Sequence, residues 1–218
     1  GGLQTKQYVM LHGKPIIEHT LSALLRHDKI SHITVAIRSD DLEWEKVNYA
    51  GCADTVTKVT GGASRLHSVY NCLLSLQGQA HEHDWVLVHD AVRPIISLGL
   101  LDRLFAELTD HPVGGLLGVP QVDTVKKVNA DLEVMSTIPR DSVWRAQTPQ
   151  MFRYNVLLDA LSVAIAEALP VTDESSAVEL QGLRPKIVMG DVNNIKVTMP
   201  DDIFMLSSSL VRGDSLCE

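Results

Sequence analysis

An aspartate that follows a run of four apolar residues is the first candidate for chemistry in this sequence. Residues 85–88 are typical of a strand buried on both faces in the middle of a parallel sheet, and His89, Asp90 and Arg93 come directly after them. Because open α/β sheets bind ligands at the carboxyl ends of their strands, Asp90 is predicted to bind a metal or a substrate, with Arg93 facing an anion. The alternative is an aspartate that caps the next turn and pairs with Arg93.

Two lysines differ in what their neighbours predict. Lys196 lies between Ile195 and Val197, so its side chain points one way out of a short apolar segment. Such a lysine can stabilise charge that develops on a transferring phosphoryl group, or it can extend to the surface as a structural lysine. Lys6 has no apolar or acidic neighbours, and taken alone it is typical of a solvated lysine.

A glycine pair precedes a predicted helix. Gly61 and Gly62 are followed by Arg65 and Ser68, which supply backbone N–H groups, a cation and a hydroxyl at a helix start. This combination predicts a cradle for an anion or a base edge. A tight strand-to-helix connection uses the same glycines, so that alternative stays open.

Further polar residues are candidates for substrate contacts. Asp123, Thr124, Arg140 and Thr148 could hydrogen-bond a polar substrate or satisfy turn backbone. The nine histidines show no ligand spacing, and no Ser-His-Asp or Cys-His arrangement gives support to a covalent mechanism. One carboxylate, several cations and a Gly-rich turn favour metal-assisted displacement at a phosphate.

Helices and strands are predicted to alternate along the first 120 residues. This order indicates an α/β fold with a mostly parallel, Rossmann-like sheet and helices on both faces. The sequence shows no repeat or linker, which predicts a single domain over residues 1–218. The predicted strands are 32–38, 55–59, 85–89, 113–119 and 186–189; the predicted helices begin near residues 16, 40, 65, 98, 155, 173 and 201.

Residues 121–140 interrupt that alternation. They alternate in polarity around residues 129–131, which predicts a β-hairpin. The hairpin would expose Val125, Val128, Leu132 and Val134, so we expect an arm that packs on a second copy of the chain. Folding back onto its own domain is the alternative.

The composition indicates a soluble globular protein and argues against nucleic-acid-binding and membrane-spanning proteins. The hydrophobic share of 45% and charged share of 21% are ordinary for a soluble globular protein. A net charge of −8 argues against general nucleic-acid binding, and no run approaches the roughly 18–20 apolar residues of a membrane span. With no signal peptide and three scattered cysteines (Cys52, Cys72 and Cys217), we expect free thiols and a cytoplasmic protein.

Seven motifs, taken together and in order, closely resemble the 2-C-methyl-D-erythritol 4-phosphate cytidylyltransferase family, the third enzyme of the non-mevalonate isoprenoid route. Each motif is weak alone, but their shared order from residue 5 to about residue 206 is specific. They are Thr-Lys-Gln-Tyr at 5–8, Gly-Gly at 61–62 with Arg65 and Ser68, His-Asp-Ala-Val-Arg-Pro at 89–94, Asp-Thr-Val-Lys at 123–126, Trp-Arg-Ala-Gln-Thr-Pro-Gln at 144–150, Thr-Asp-Glu at 172–174 and Asn-Ile-Lys-Val-Thr at 194–198.

The resemblance implies a reaction and a role for each candidate residue. The family transfers CMP from CTP to methylerythritol phosphate with Mg²⁺ and releases pyrophosphate. Lys6 and Lys196 would stabilise the reacting α-phosphate, and Asp90 would hold the metal and the polyol. Gly61, Arg65 and Ser68 would contact the cytidine or its ribose, while Arg93, Thr124, Thr148 and Thr172 would line the polyol phosphate side. Arg140 would reach the substrate of the neighbouring subunit in a homodimer.

The sequence departs from the family in one place. Family members carry a buried strand and an Ala-Ala-Gly-x-Gly-x-Arg-Met loop ahead of the Lys6 motif, and this sequence contains neither. Because loss of a central strand would expose sheet edges, we expect that segment to precede residue 1; a protein that lacks it is the alternative. Two other functions stay open: a cytidylyltransferase for another polyol phosphate, such as ribitol 5-phosphate, and a non-catalytic nucleotide-binding protein.

Overall fold

Apart from the segment between residues 40 and 48, the helices and strands over the first 120 residues follow the predicted alternation. The computed structural model describes residues 5–49, 54–199, 201–204 and 206. The α-helices there are α1 (Ile16–Leu25), α2 (Arg65–Ser75), α3 (Leu98–Leu108), α4 (Tyr154–Ala166) and α5 (Glu174–Leu180). The strands are β1 (Met10–Leu11), β2 (Lys14–Pro15), β3 (Ile33–Ile37), β4 (Val56–Thr60), β5 (Trp85–Val88), β6 (Gly114–Pro120), β7 (Val125–Val128), β8 (Val134–Ile138), β9 (Trp144–Arg153) and β10 (Lys186–Met189).

The sheet is mixed rather than mostly parallel. Strands β3 and β4 pair in parallel, as do β6 and β10, in agreement with the prediction. In the four-stranded sheet, of order β10-β6-β9-β5, β9 runs antiparallel to both of its neighbours. The α/β class with helices on both faces is therefore confirmed, and the departure is β9, for which the sequence analysis predicted no strand.

Helices cover both faces of the strands. Leu24 of α1 and Leu101, Leu104 and Leu108 of α3 form a buried cluster against which Leu87 of β5 packs. On the opposite face, α2, α4 and α5 form a second cluster that contacts Val86 and Val88. The three α3 leucines are 0% exposed, so truncating any one to alanine would cost about 2–5 kcal/mol.

A groove separates β3 from β5. In the described residues these strands are edges of two different sheets, although Ile33 of β3 and Leu87 of β5 pack against the same cluster of helix side chains. The groove has a volume of about 1140 Å³ and is lined by side chains of both strands. As a result, Trp85–Val88 is only partly buried, which corrects the prediction of burial on both faces. A further strand placed there could pair with both edges.

The hairpin at 121–140 is confirmed. Strands β7 and β8 pair antiparallel, with Val125 opposite Ile138 and an irregularity between Lys127 and Val128. Val128, Leu132, Val134, Met135 and Ile138 are exposed, whereas Val125 is partly buried.

One predicted helix is wrong, and some predictions concern residues that lie outside the described ranges. The segment expected to be helical from residue 40 to about 48 forms only the short 3-10 helix Trp44–Lys46. Residues 201–204 and 206 are helical, but the rest of the last predicted helix lies outside the described residues, as do Cys52 and Cys217. Cys72 is a free, partly buried thiol, and burial raises its pKa to about 11. No helix in the described part of the chain is long and apolar enough to cross a membrane.

Candidate active site

Three cationic side chains surround the carboxylate of Asp90. Its Oδ2 atom lies 3.0 Å from Lys196 Nζ and 3.3 Å from Arg93 Nε, and its Oδ1 atom lies 3.3 Å from Arg65 Nε. Asp90 follows β5, Arg65 begins α2, and Lys196 lies on the segment after β10. The fold thus brings Lys196, which is 106 residues away in sequence, and Arg65, which is 25 residues away, to the carboxylate of Asp90.

The charge of this cluster holds Asp90 ionised. Burial alone would raise the pKa of Asp90, but the positive charges of Arg65, Lys196 and Arg93 outweigh it and hold the pKa below its ordinary value. With Glu174 included, three cations and two carboxylates leave one net positive charge, in a chain whose total is −8. The site can therefore attract an anionic substrate.

Arg65 is held by a buried carboxylate. Its Nη1 and Nη2 atoms donate to the two Glu174 carboxylate oxygens at 2.5 and 3.0 Å, a bidentate pair. The Glu174 side chain is almost fully buried, and this burial raises its pKa despite the attraction of Arg65. Glu174 begins α5, which Asp173 and Ser176 cap reciprocally. The first turn of α5 therefore orients the arginine that faces Asp90.

The glycine turn before α2 is closely packed. At Gly62 a Cβ would lie 2.3 Å from the Cβ of His67, so only glycine fits. The Gly62 N–H donates to Ser68 Oγ at 3.0 Å, and the Ser68 hydroxyl donates to the Ser64 carbonyl at 2.9 Å. Gly61 lies beside the same hydroxyl, because a Cβ there would be 3.1 Å from it. The predicted Gly61, Arg65 and Ser68 set is thus assembled at the start of α2.

Buried amides attach the Lys196 segment to β9. Gln147 Nε2 donates to the Asp191 carbonyl at 2.7 Å, and Asn194 Nδ2 donates to the Thr148 carbonyl at 2.8 Å. Arg93 Nη1 in turn donates to the Asn194 carbonyl at 2.6 Å. These contacts hold Asn194, two residues before Lys196, in a fixed position relative to the end of β5.

Lys6 lies against the same segment. Its ammonium donates to the carbonyl of Thr198, two residues beyond Lys196. The carboxylate of Asp202 accepts hydrogen bonds from the Met199 and Thr198 N–H groups and from the Thr198 hydroxyl, and these bonds fix the turn. They also lower the pKa of Asp202. The two predicted catalytic lysines are therefore carried by adjoining parts of the structure, while only Lys196 contacts Asp90.

The remaining predicted residues lie around the cluster in different ways. Thr148 is buried, and its hydroxyl accepts the Asp90 N–H at 3.1 Å. Thr172 is exposed at the start of α5, where its N–H donates to Ser176 Oγ at 3.1 Å. Thr124 and Arg140 are exposed at the base of the hairpin, and Arg140 donates to the Val122 carbonyl. No contact described here joins Thr124 or Arg140 to the Asp90 cluster of the same chain.

Sequence analysis assigned no role to four residues that organise this site: His89, Gln147, Glu174 and Asn194. His89 and Glu174 had a signal, since one adjoins Asp90 and the other is an acidic residue at a helix start. Gln147 and Asn194 belong to two of the seven motifs, but their role was not predictable because each acts through partners more than 40 residues away in sequence.

A net positive cluster around one carboxylate, at the end of a strand of a helix-covered sheet, is typical of α/β enzymes that act on phosphate groups. The sequence model described as "IspD: 2-C-methyl-D-erythritol 4-phosphate cytidylyltransferase" matches residues 2–212. The chain belongs to this family, and its resemblance in seven motifs is confirmed.

Individual relatives agree with this assignment. The 2-C-methyl-D-erythritol 4-phosphate cytidylyltransferase of Dechloromonas aromatica is 45% identical over 98% of this chain and 92% of its own. That of Pseudomonas entomophila is 46% identical over 91% of this chain and 84% of its own. The crystal structure of the Francisella tularensis enzyme superposes with a TM-score of 0.84 at 35% identity, over 93% of this chain and 92% of that one.

Proposed function

We propose that the Asp90 cluster transfers CMP from CTP to 2-C-methyl-D-erythritol 4-phosphate, the reaction of the family to which the chain belongs. The observation that carries this proposal is the placement of three cations on one carboxylate at the end of β5. A phosphate oxygen of the polyol attacks the α-phosphorus of CTP in line. The bond between that phosphorus and the oxygen that bridges the α- and β-phosphates breaks, and pyrophosphate leaves.

Lys196 and Lys6 stabilise the charge on the α-phosphate in this mechanism. Lys196 is suited to that role because its ammonium already lies in the cluster and remains partly open to solvent. Arg93 and Arg65 add positive charge around Asp90. Thr124, Thr148 and Thr172 would hydrogen-bond the polyol phosphate, and Gly61, Arg65 and Ser68 would contact the cytidine.

A Mg²⁺ ion fits this site only if the substrate phosphates supply some of its ligands. No group of three His, Cys, Asp or Glu side chains suited to a metal occurs among the described residues. Mg²⁺ is commonly bound by one or two carboxylates together with substrate phosphates and water, so Asp90 suffices as the protein ligand. When bound, the ion would neutralise charge on the triphosphate.

Pyrophosphate release by the full-length natural protein tests the proposed function. The assay contains CTP with methylerythritol phosphate or ribitol 5-phosphate, each with and without Mg²⁺. We expect pyrophosphate release with methylerythritol phosphate and no release with ribitol 5-phosphate. Release only with ribitol 5-phosphate would overturn the substrate but keep the chemistry. Intact CTP binding without release would favour a non-catalytic nucleotide-binding protein.

The hairpin supports a homodimer in which Arg140 serves the partner's site. The exposed apolar side chains of β8 need a cover, and Arg140 lies at the base of the same hairpin with its guanidinium at the surface. A second copy of the chain would bury the arm and bring Arg140 to a polyol phosphate that it does not reach within its own chain.

We expect the replacement Met135→Asp to weaken dimerisation. Met135 is exposed on β8, and burying one such side chain contributes roughly 1.5–3 kcal/mol, so the dimer dissociation constant should rise about 10- to 100-fold. Sedimentation velocity over a concentration series measures this. Leu42→Asp is the control, because Leu42 is an exposed apolar residue that lies outside the arm. Equal dissociation of the two variants would show that the arm is not the interface.

We expect Arg140→Ala to raise the KM for methylerythritol phosphate by about 10- to 100-fold, since a hydrogen bond from a charged group contributes roughly 1.5–3 kcal/mol. The KM for CTP should stay unchanged in steady-state kinetics. Arg103→Ala is the control, because Arg103 is an exposed arginine with a comparable backbone contact, to the Met189 carbonyl at 3.0 Å. Equal effects on both substrates would contradict the assignment of Arg140 to the polyol phosphate.

Mixing two impaired variants, with methylerythritol phosphate kept far below the KM of Arg140→Ala, tests whether Arg140 acts across the dimer. In a heterodimer of Arg140→Ala and Lys196→Ala chains, one site keeps both residues if Arg140 acts on the partner. Statistical mixing should then restore up to about one quarter of wild-type turnover in a two-fold dimer. No recovery, with exchange of subunits verified, would place Arg140 in its own chain's site.

A further inference from the structure

Directional hydrogen bonds connect His89 to the backbone of Asp90. His89 Nε2 lies 3.0 Å from the Arg93 carbonyl, which can only accept, so Nε2 is the donor. In a neutral ring the other nitrogen accepts, and His89 Nδ1 therefore takes the hydroxyl proton of Thr148 at 3.0 Å. The Thr148 oxygen is then turned to accept the Asp90 N–H at 3.1 Å.

Both hydrogen bonds of the ring fit a neutral imidazole that carries its proton on Nε2. A protonated ring would donate from both nitrogens and could not accept from Thr148.

The backbone of Asp90 needs this support because the β5–β9 ladder ends before it. The last paired residues are Val88 and Gln150. Beyond them the Thr148 carbonyl accepts from Asn194, and the Thr148 side chain takes the Asp90 N–H instead. The Arg93 N–H holds the Asp90 carbonyl at 3.0 Å, whereas the Asp90 N–H is bound by one hydroxyl, whose direction is set by His89.

We propose that His89 is a positioning residue that fixes Asp90 through Thr148. The inference rests on the role proposed above for Asp90. Since misplacing a reacting group by about 1 Å can cost 10²-fold in rate, loss of the acceptor at His89 should lower kcat and leave the KM for CTP nearly unchanged.

Two substitutions separate the functions of the ring nitrogens. His89→Asn keeps an oxygen near the Nδ1 position, whereas His89→Gln keeps a donor near the Nε2 position and leaves the Thr148 hydroxyl without an acceptor. We expect kcat to fall at least about tenfold in His89→Gln and clearly less in His89→Asn, with equal melting temperatures. Equal losses in both variants, or losses that follow the melting temperatures, would overturn the inference.

The Asp90→Asn background distinguishes failure of this inference from failure of the proposed site. If His89 acts through Asp90, adding His89→Gln to Asp90→Asn should lower kcat no further. Full turnover by Asp90→Asn would refute the role of Asp90 and the inference with it. An inactive Asp90→Asn together with a fully active His89→Gln would refute the positioning role of His89 alone.

Discussion

Replacing Lys196 with alanine is expected to lower kcat by about 10²- to 10³-fold, the loss typical of removing one group that stabilises transition-state charge. The Lys196 ammonium lies 3.0 Å from Asp90 and is partly exposed, so an incoming phosphate can take it over as a partner. Stability should change little, because Asp90 keeps Arg65 and Arg93 as partners. Single-turnover kinetics with saturating CTP would measure the chemical step directly.

Lys186→Ala is a matched control for that variant. Lys186 forms a 2.9 Å ion pair with Glu107, and its side chain is 43% exposed, against 42% for Lys196. It belongs to β10, ten residues before Lys196, so its loss removes a similar half-exposed ion pair away from the Asp90 cluster. Near-normal turnover in Lys196→Ala, or equal losses in both variants, would remove Lys196 from the mechanism.

Residue type and position along the chain were sufficient to single out two charged residues that the structure brings together. Asp90 was predicted from the apolar strand before it, and Lys196 from its apolar neighbours; the structure joins the two at 3.0 Å. The sequence could not show that Glu174 holds Arg65, because the contact spans 109 positions and depends on how α2 and α5 pack. Long-range contacts of this kind follow from tertiary structure and leave no local pattern.

The secondary-structure errors also have physical causes. The β9 segment alternates between apolar and polar residues only over 144–147, and Pro149 then argues against a central strand; it forms one because β5 and β6 pair with it on both sides. The helix predicted from residue 40 relied on two aspartates as helix-start residues. Asp41 does lie just before a helix, and its carboxylate accepts the N–H groups of Glu43 and Trp44, but that helix is a single 3-10 turn with Glu43 as its N-cap.

Replacing Asp90 with asparagine is expected to reduce both turnover and stability. Asparagine preserves the shape but leaves Arg65, Arg93 and Lys196 without their shared anion. Removing one partner of a buried ion pair costs about 3–5 kcal/mol. Here Arg65 and Lys196 are 38% and 42% exposed and regain water, so we expect a loss of about 2 kcal/mol in the free energy of unfolding and at least about 10²-fold in kcat.

The pH dependence of that stability loss identifies its origin. Because the pKa of Asp90 is lowered in the folded protein, its ion pairs contribute in full above the ordinary aspartate pKa and are lost only as the pH falls through the lowered value. The difference between wild type and Asp90→Asn in urea unfolding should therefore stay nearly constant from pH 7 to about 4.5. Asp102→Asn is the control, since Asp102 is 67% exposed beside His27 and its loss should cost under about 1 kcal/mol. A difference that shrank well above pH 4.5 would mean that Asp90 is not held ionised by its three cations.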